Sequence, residues 1–307
     1  MSTSNEALPF SNAEQSGSTG SEATQVGSAR KVDPDNPVWG IPTAFAIWLA
    51  SLVLQVIVPV FFLVPFIIHR GLSFTSPDFA REAAELALTD PTAILLQVIS
   101  VLPIHLLTLA LIWAVVTRFG KRPFFASFGW EWSPQWQILE VLGLIALGGL
   151  LFLLSALILK ITGADQPTQL EQIINSSLAA RYTIAVLAVF TAPFVEEFTY
   201  RGLIYSALQR TIGVRAAVVI VFLLFTLIHV PQYRQSIGVI IAVGVLSLVL
   251  SVVRAYSGRL LPCVIIHMAF NTIQAALLII EPMLRRAMPT EPVPTVSFLL
   301  PFIHRIF

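Results

Sequence analysis

The chain has 307 residues, 56% of them hydrophobic and 11% charged, with a mean hydropathy of +0.82; a soluble domain rarely combines these values, so a polytopic membrane protein is expected. The formal net charge of +1 offers no global basic surface for nucleic acid and no pull toward an acidic partner. The single cysteine, Cys263, excludes an intrachain disulfide and a thiolate zinc cage alike.

Residues 1–37 are rich in Ser, Thr, Gly, Glu and Gln and hold few large apolar side chains, so they cannot bury enough surface to offset chain entropy and read as a disordered tail. They contain no apolar core followed by a small-residue cleavage site, and the first spanning helix is expected to act as the insertion signal. A membrane core of about 30 Å needs roughly 20 apolar residues at 1.5 Å rise. Seven segments qualify: 41–68, 92–117, 138–161, 182–208, 215–231, 236–253 and 260–280. Asp90-Pro91 and Ser133-Pro134 precede the second and third, each a polar cap followed by a proline that needs no amide partner. Val296 to Phe307 forms a weaker eighth segment suited to the interface, so the expected fold is an all-α membrane bundle of about seven or eight helices. Residues 38–180 hold helices one to three, 181–285 hold helices four to seven, and 286–307 form a carboxyl-terminal tail or interfacial helix.

Within the first block, 119–136 mixes Lys121 and Arg122 with Phe124, Phe125, Phe128, Trp130, Trp132 and Trp136. This mix suits a segment lying along the headgroups. The 162–181 stretch reads as a polar loop. Orientation follows the basic residues of short loops. Arg30 and Lys31, then Arg118, Lys121 and Arg122, then Arg210 and Arg215, then Arg254 and Arg259 fall on one side of the seven-helix topology. An amino terminus in the cytoplasm, in the cell membrane, is therefore expected. No internal repeat is visible, which weakens a transporter reading.

Ionisable and hydrogen-bonding groups are costly inside a membrane and mark function by default. Six stand in three of the later segments: Glu196, Glu197 and Arg201, then His229, then His267 and Asn271. Glu197 and Arg201 are four apart and can pair on one helix face, while Glu196 is rotated about 100° away without an in-helix cation. A membrane clamp needs one carboxylate, and a second adds desolvation cost. His267 and Asn271 share a face, and Phe225 and His229 stand one turn apart. Counted from the cytoplasmic helix ends at 1.5 Å per residue, Glu196 lies roughly 18 Å deep, His229 about 21 Å, and His267 and Asn271 about 11 and 17 Å. The three segments can therefore meet near mid-membrane. A carboxylate, two imidazoles and a carboxamide around one point supply a base for water and donors for an oxyanion. His105 and Gln97 in helix two are expected to pair with neighbouring helices, and Lys160 to snorkel. No Gly-x-Ser-x-Gly occurs, and no aspartate lies in the seven apolar cores, so serine and aspartyl chemistry are unsupported.

The ordered trio Glu196-Glu197-x-x-x-Arg201, Phe225-x-x-x-His229 and His267-x-x-x-Asn271 resembles the three motifs of the CPBP family, the CAAX proteases and bacteriocin-processing enzymes also called Abi. The resemblance covers roughly residues 180–280. It implies a helical bundle with an internal polar cavity and endoproteolysis within or beside the membrane, on a membrane-embedded or lipid-anchored protein. It makes Glu196 the water-activating base assisted by His229, His267 and Asn271 the oxyanion donors, and Glu197 with Arg201 the supporting pair. It leaves open whether the water sits alone or on one Zn2+, for which Glu196, His229 and His267 would be the ligands. Against zinc, the sequence lacks His-Glu-x-x-His. Two rivals share these residues: a non-catalytic immunity or scaffold protein, and a proton-coupled transporter.

Overall fold

Long apolar stretches cannot leave their amides unpaired in hydrocarbon, so each must close its own backbone hydrogen bonds as a helix. The computed structural model describes residues 33–132, 137–163 and 168–287, and among these residues there is helix and no strand. In chain order the elements are α1 (Ile41–His69), α2 (Phe79–Thr89), α3 (Pro91–Thr117), a short 3-10 turn (Ala126–Phe128) and α4 (Gln137–Thr162). Then come α5 (Gln169–Ser176), α6 (Leu178–Phe190), α7 (Ala192–Glu197), a π-helical segment (Phe198–Ile204), α8 (Tyr205–Ile212), α9 (Val214–Tyr233), α10 (Ile237–Ser257) and α11 (Leu261–Ala287). Among the described residues six helices are long and apolar enough to span, and α6 with Ala192–Ile212 forms a pair bent by 42° that brings the number to seven when counted as one span. Their outer faces remain apolar: α1 exposes Leu49, Val56 and Phe61. The fold is thus a polytopic helical bundle.

Helix boundaries follow local chemistry. Asp90 caps α3 by accepting from the amides of Thr92 and Ala93 at 2.8 and 3.1 Å, and Pro91 occupies the first turn, where its missing N–H costs nothing. Thr168 and Glu171 form a reciprocal capping box at α5, Ser177 caps α6, and Ser236 caps α10. Gly258, with φ +65°, ends α10 in the left-handed conformation. Five expected spans agree with α1, α3, α4, α9 and α10 to within a few residues. The span expected over 260–280 continues to Ala287 as α11.

Three features depart from the sequence reading. The helix expected over 182–208 begins at Leu178, breaks at Thr191 and contains a π turn, because Pro193 removes an amide from its ladder. The loops after α1 and α4 hold two helices that hydropathy did not mark: α2, amphipathic and lacking a buried residue, and α5, inside the expected polar loop. In the described part of the aromatic segment, 119–132, Phe119, Phe125 and Trp132 stay exposed while Phe128 turns into the bundle. Phe128 is buried between Trp39 and Phe198, and Trp130 stacks on Phe198 with centroids 5.5 Å apart. Gly202 makes room for it, since a Cβ there would lie 2.8 Å from the Phe128 ring.

Residues 33–37, the end of the expected tail, dock on the bundle. Asp35 pairs with buried Arg254 at 2.9 Å, Gln209 donates to the Asp35 carbonyl at 3.0 Å, and Arg210 donates to the Pro37 carbonyl. Trp39 then donates to the Leu203 carbonyl of the π segment at 2.9 Å. The rest of the expected tail, the Trp136 end of the aromatic segment and 288–307 lie outside the described residues.

At the centre of the bundle stands the π segment itself. All seven of its residues are buried, among side chains from α1, α3, α8, α9 and α11. One wide turn inside a helix is the kind of irregularity that accompanies functional sites.

Candidate active site

Consecutive residues on a helix point about 100° apart, so Glu196 and Glu197 at the end of α7 must meet different surroundings. Glu197 is fully buried, whereas 26% of the Glu196 side chain is exposed. Glu197 Oε1 accepts from Arg201 at 3.0 Å and from His267 Nδ1 at 2.8 Å. Its Oε2 is buried without a hydrogen-bond partner.

Arg201 is equally buried and is held on every side. It donates to the Ser247 carbonyl and hydroxyl at 2.9 and 2.8 Å and to the Ser251 hydroxyl at 3.4 Å. Its guanidinium lies 4.5 Å from the centre of the Phe225 ring. Ser247 and Ser251 were not singled out in the sequence; the signal was there, two hydroxyls four residues apart on an otherwise apolar face of α10. They supply oxygens to a guanidinium that has no water to bond.

His267 lies between the two carboxylates. Nδ1 bonds Glu197, and Nε2 stands 3.7 Å from Glu196 Oε2, too far for a direct hydrogen bond. Arg201 already donates to Glu197, so the carboxylate is an acceptor there and Nδ1 of His267 carries a proton. The expected Glu197–Arg201 pair is therefore half of its role. The other half is to orient this imidazole.

His229, on α9, directs Nδ1 at the Phe225 carbonyl at 2.7 Å. A carbonyl can only accept, so Nδ1 holds the hydrogen, and on the neutral ring Nε2 presents a lone pair. The ring sits 4.6 Å from Phe225 and stacks on Tyr233 at 6.3 Å. Phe225 also meets His267 at 6.2 Å and Tyr200 at 5.1 Å, so one buried ring spaces both imidazoles and the guanidinium. Tyr200 accepts from Trp48 of α1 at 3.0 Å.

Asn271 takes a separate position. Its amide nitrogen donates at 2.8 Å to the Ala188 carbonyl, which a continuous helix would have paired with the amide of Ala192. The break at Thr191 exposes that carbonyl, and Asn271 satisfies it with one of two N–H groups. Glu196, Glu197, Arg201 and His267 thus form one chain of contacts, His229 joins through Phe225, and Asn271 is bonded to the helix break.

The same geometry tests the metal alternative. Among the described residues no three His, Cys, Asp or Glu side chains converge closely enough to hold a metal ion. Nδ1 of both imidazoles is bonded within the protein, which leaves Nε2 of each ring as the nitrogen a metal would take.

The model of one protein family, type II CAAX prenyl endopeptidase Rce1-like, matches residues 178–273, a stretch that begins at α6 and ends two residues past Asn271. No curated protein and no solved structure matches the chain. An intramembrane cluster of this composition lies inside the stretch that the family model matches and agrees with the three motifs, and the protein is a multi-pass membrane protein whose residues 178–273 match the Rce1-like CAAX prenyl endopeptidase model.

Proposed function

We propose that the protein is an intramembrane endopeptidase in which Glu196 activates the attacking water. The observation that carries this reading is the unequal treatment of two adjacent carboxylates. Glu197 is sealed from solvent, neutralised by Arg201 and spent on orienting His267. Glu196 keeps an exposed face and no strong partner, which is what a general base needs in order to meet water and substrate.

The chemistry follows from the donors and acceptors. A water held between Glu196 and the free Nε2 of His229 gives its proton to Glu196 while its oxygen attacks the scissile carbonyl carbon. The charge that develops on the carbonyl oxygen is met by the second N–H of Asn271 and by Nε2 of His267. Donation from Nε2 requires the doubly protonated ring, because Nδ1–H is already given to Glu197; Glu197 and the oxyanion together then balance Arg201 and the imidazolium. The oxyanion then collapses, the C–N bond breaks, and Glu196 returns its proton to the leaving amine. Atoms balance as peptide plus water giving acid plus amine.

The substrate proposed is a membrane-embedded or lipid-anchored protein cleaved from the cytoplasmic side, with the amino terminus of the enzyme in the cytoplasm of a cell-membrane protein. Support for that side comes from the loop arginines and lysines. The test is mass spectrometry of protein carboxyl termini in cells expressing wild type or Glu196→Gln. Removing a general base costs about 100- to 10,000-fold in rate, so the termini made by wild type should vanish in the variant. Identical termini in both would refute the proposal; retained binding without cleavage in either would instead indicate a scaffold.

A further inference from the structure

The break at Thr191 decides where Glu196 points, and side chains from two other helices are fastened to it. Asn271 of α11 takes the Ala188 carbonyl. On α3, outside the stretch that matches the family, His105 places Nδ1 2.8 Å from the Thr191 hydroxyl. That hydroxyl donates its only hydrogen back to the Leu187 carbonyl at 3.2 Å. The Thr191 oxygen must therefore accept, so His105 Nδ1 carries a hydrogen. Thr191 itself has φ −116° and ψ −42° and starts α7 without a side-chain cap of its own. Its carbonyl accepts from Val195 at 3.1 Å, which ties the break directly to the turn bearing Glu196.

We infer that His105 is a positioning residue for the proposed general base: by donating Nδ1–H to Thr191 it locks the α6–α7 break in the angle that brings Glu196 to the His267 face. The inference rests on the reading of Glu196 as the base. A histidine paired with a threonine across two helices reads as packing when met alone. Here the threonine is the residue at which the helix turns by 42°, five residues before the carboxylate.

The test uses the full-length protein in detergent with an internally quenched peptide bearing a farnesylated CAAX terminus. His105→Ala should lower kcat by about ten- to a hundredfold, the cost of a misplaced catalytic group, with KM held within about twofold. His105→Asn, whose amide nitrogen takes the place of Nδ1, should recover kcat to within about threefold, whereas His105→Gln, which mimics Nε2, should not. Thermal unfolding of His105→Ala, Thr191→Val and the double variant is read whether or not the peptide is cleaved. Two residues that share one bond should give a double variant no less stable than the worse single one. The inference is overturned if His105→Ala keeps full activity while Glu196→Gln has none, if Asn rescues no better than Gln, or if the two Tm losses add. Activity retained by Glu196→Gln would overturn the assignment of the base, leaving the unfolding cycle to judge the His105 bond.

Discussion

Arg201→Met should unmask what the buried pair contributes. Both side chains of the Glu197–Arg201 pair are 0% exposed, so the methionine fills similar volume but leaves a carboxylate in low dielectric. The cost falls on one atom group. Ser247 and Ser251 keep partners of their own, since their hydroxyls donate to the Phe222 and Ser247 carbonyls at 3.4 and 2.8 Å. Glu197 does not, because Oε2 already lacks a partner and Oε1 would retain only His267. Breaking one side of a buried pair costs about 3–5 kcal/mol. At about 2–4 °C per kcal/mol for a domain of this size, Tm should fall by about 6–20 °C. Glu197→Gln should fall comparably, as Arg201 then holds an uncompensated charge. The double variant should sit near the worse single one, because the second change removes the orphan created by the first. Thermal unfolding in detergent micelles, followed by circular dichroism, reads all four proteins. Single losses under about 2 °C, or losses that add in the double variant, would show that water screens the pair and would refute the burial argument.

Asn271→Ala should lower kcat by about 100- to 1,000-fold, the usual cost of one oxyanion donor. It should also lower Tm, because the Ala188 carbonyl loses its donor; peptide hydrolysis and unfolding read the two effects separately, and normal kcat with lowered Tm would leave Asn271 a structural cap only. At the start of α3, Asp90→Ala should remove the helix cap at a cost of about 0.5–2 kcal/mol. Burial opposes ionisation of Asp90, but the amides of Ala93 and Thr92 and the Arg70 guanidinium outweigh it and hold the carboxyl below its ordinary value. A depressed folded-state value contributes stability that is full above the unfolded value and is lost as pH falls through the folded one. Wild type and Asp90→Ala should therefore converge in Tm on acidification below the ordinary carboxyl value of 3.8; a constant gap would refute that assignment.

Much of the molecule was legible in order along the chain. Spans as apolar as those of α1, α3 and α4 announce themselves because hydrocarbon demands a closed helix of known length, and composition is all that such a requirement reads. The six polar residues stood out for the complementary reason, since each is costly where it lies. Composition could not show which aromatic of 119–132 packs against the π turn, because Phe124, Phe128 and Trp130 read alike; the space left by Gly202 admits Phe128. Nor did it reveal α2 and α5, whose polar faces carry no hydropathy signal.

The site divides along the same line. Residue order and the 3.6-residue period were sufficient to pair Glu197 with Arg201 and to separate Glu196 from both, for these are relations within one helix. Relations between helices depend on how the helices pack. The bond from Glu197 to His267, the serines beneath Arg201, the Phe225 ring among the imidazoles and the fastening of the Thr191 break by His105 and Asn271 all join residues 42 or more positions apart, save for Phe225 and His229. The sequence by itself determined which groups had to be paid for in the membrane. Only the tertiary structure decided which carboxylate was sealed and which was left facing water, because burial is a property of the neighbours that packing supplies.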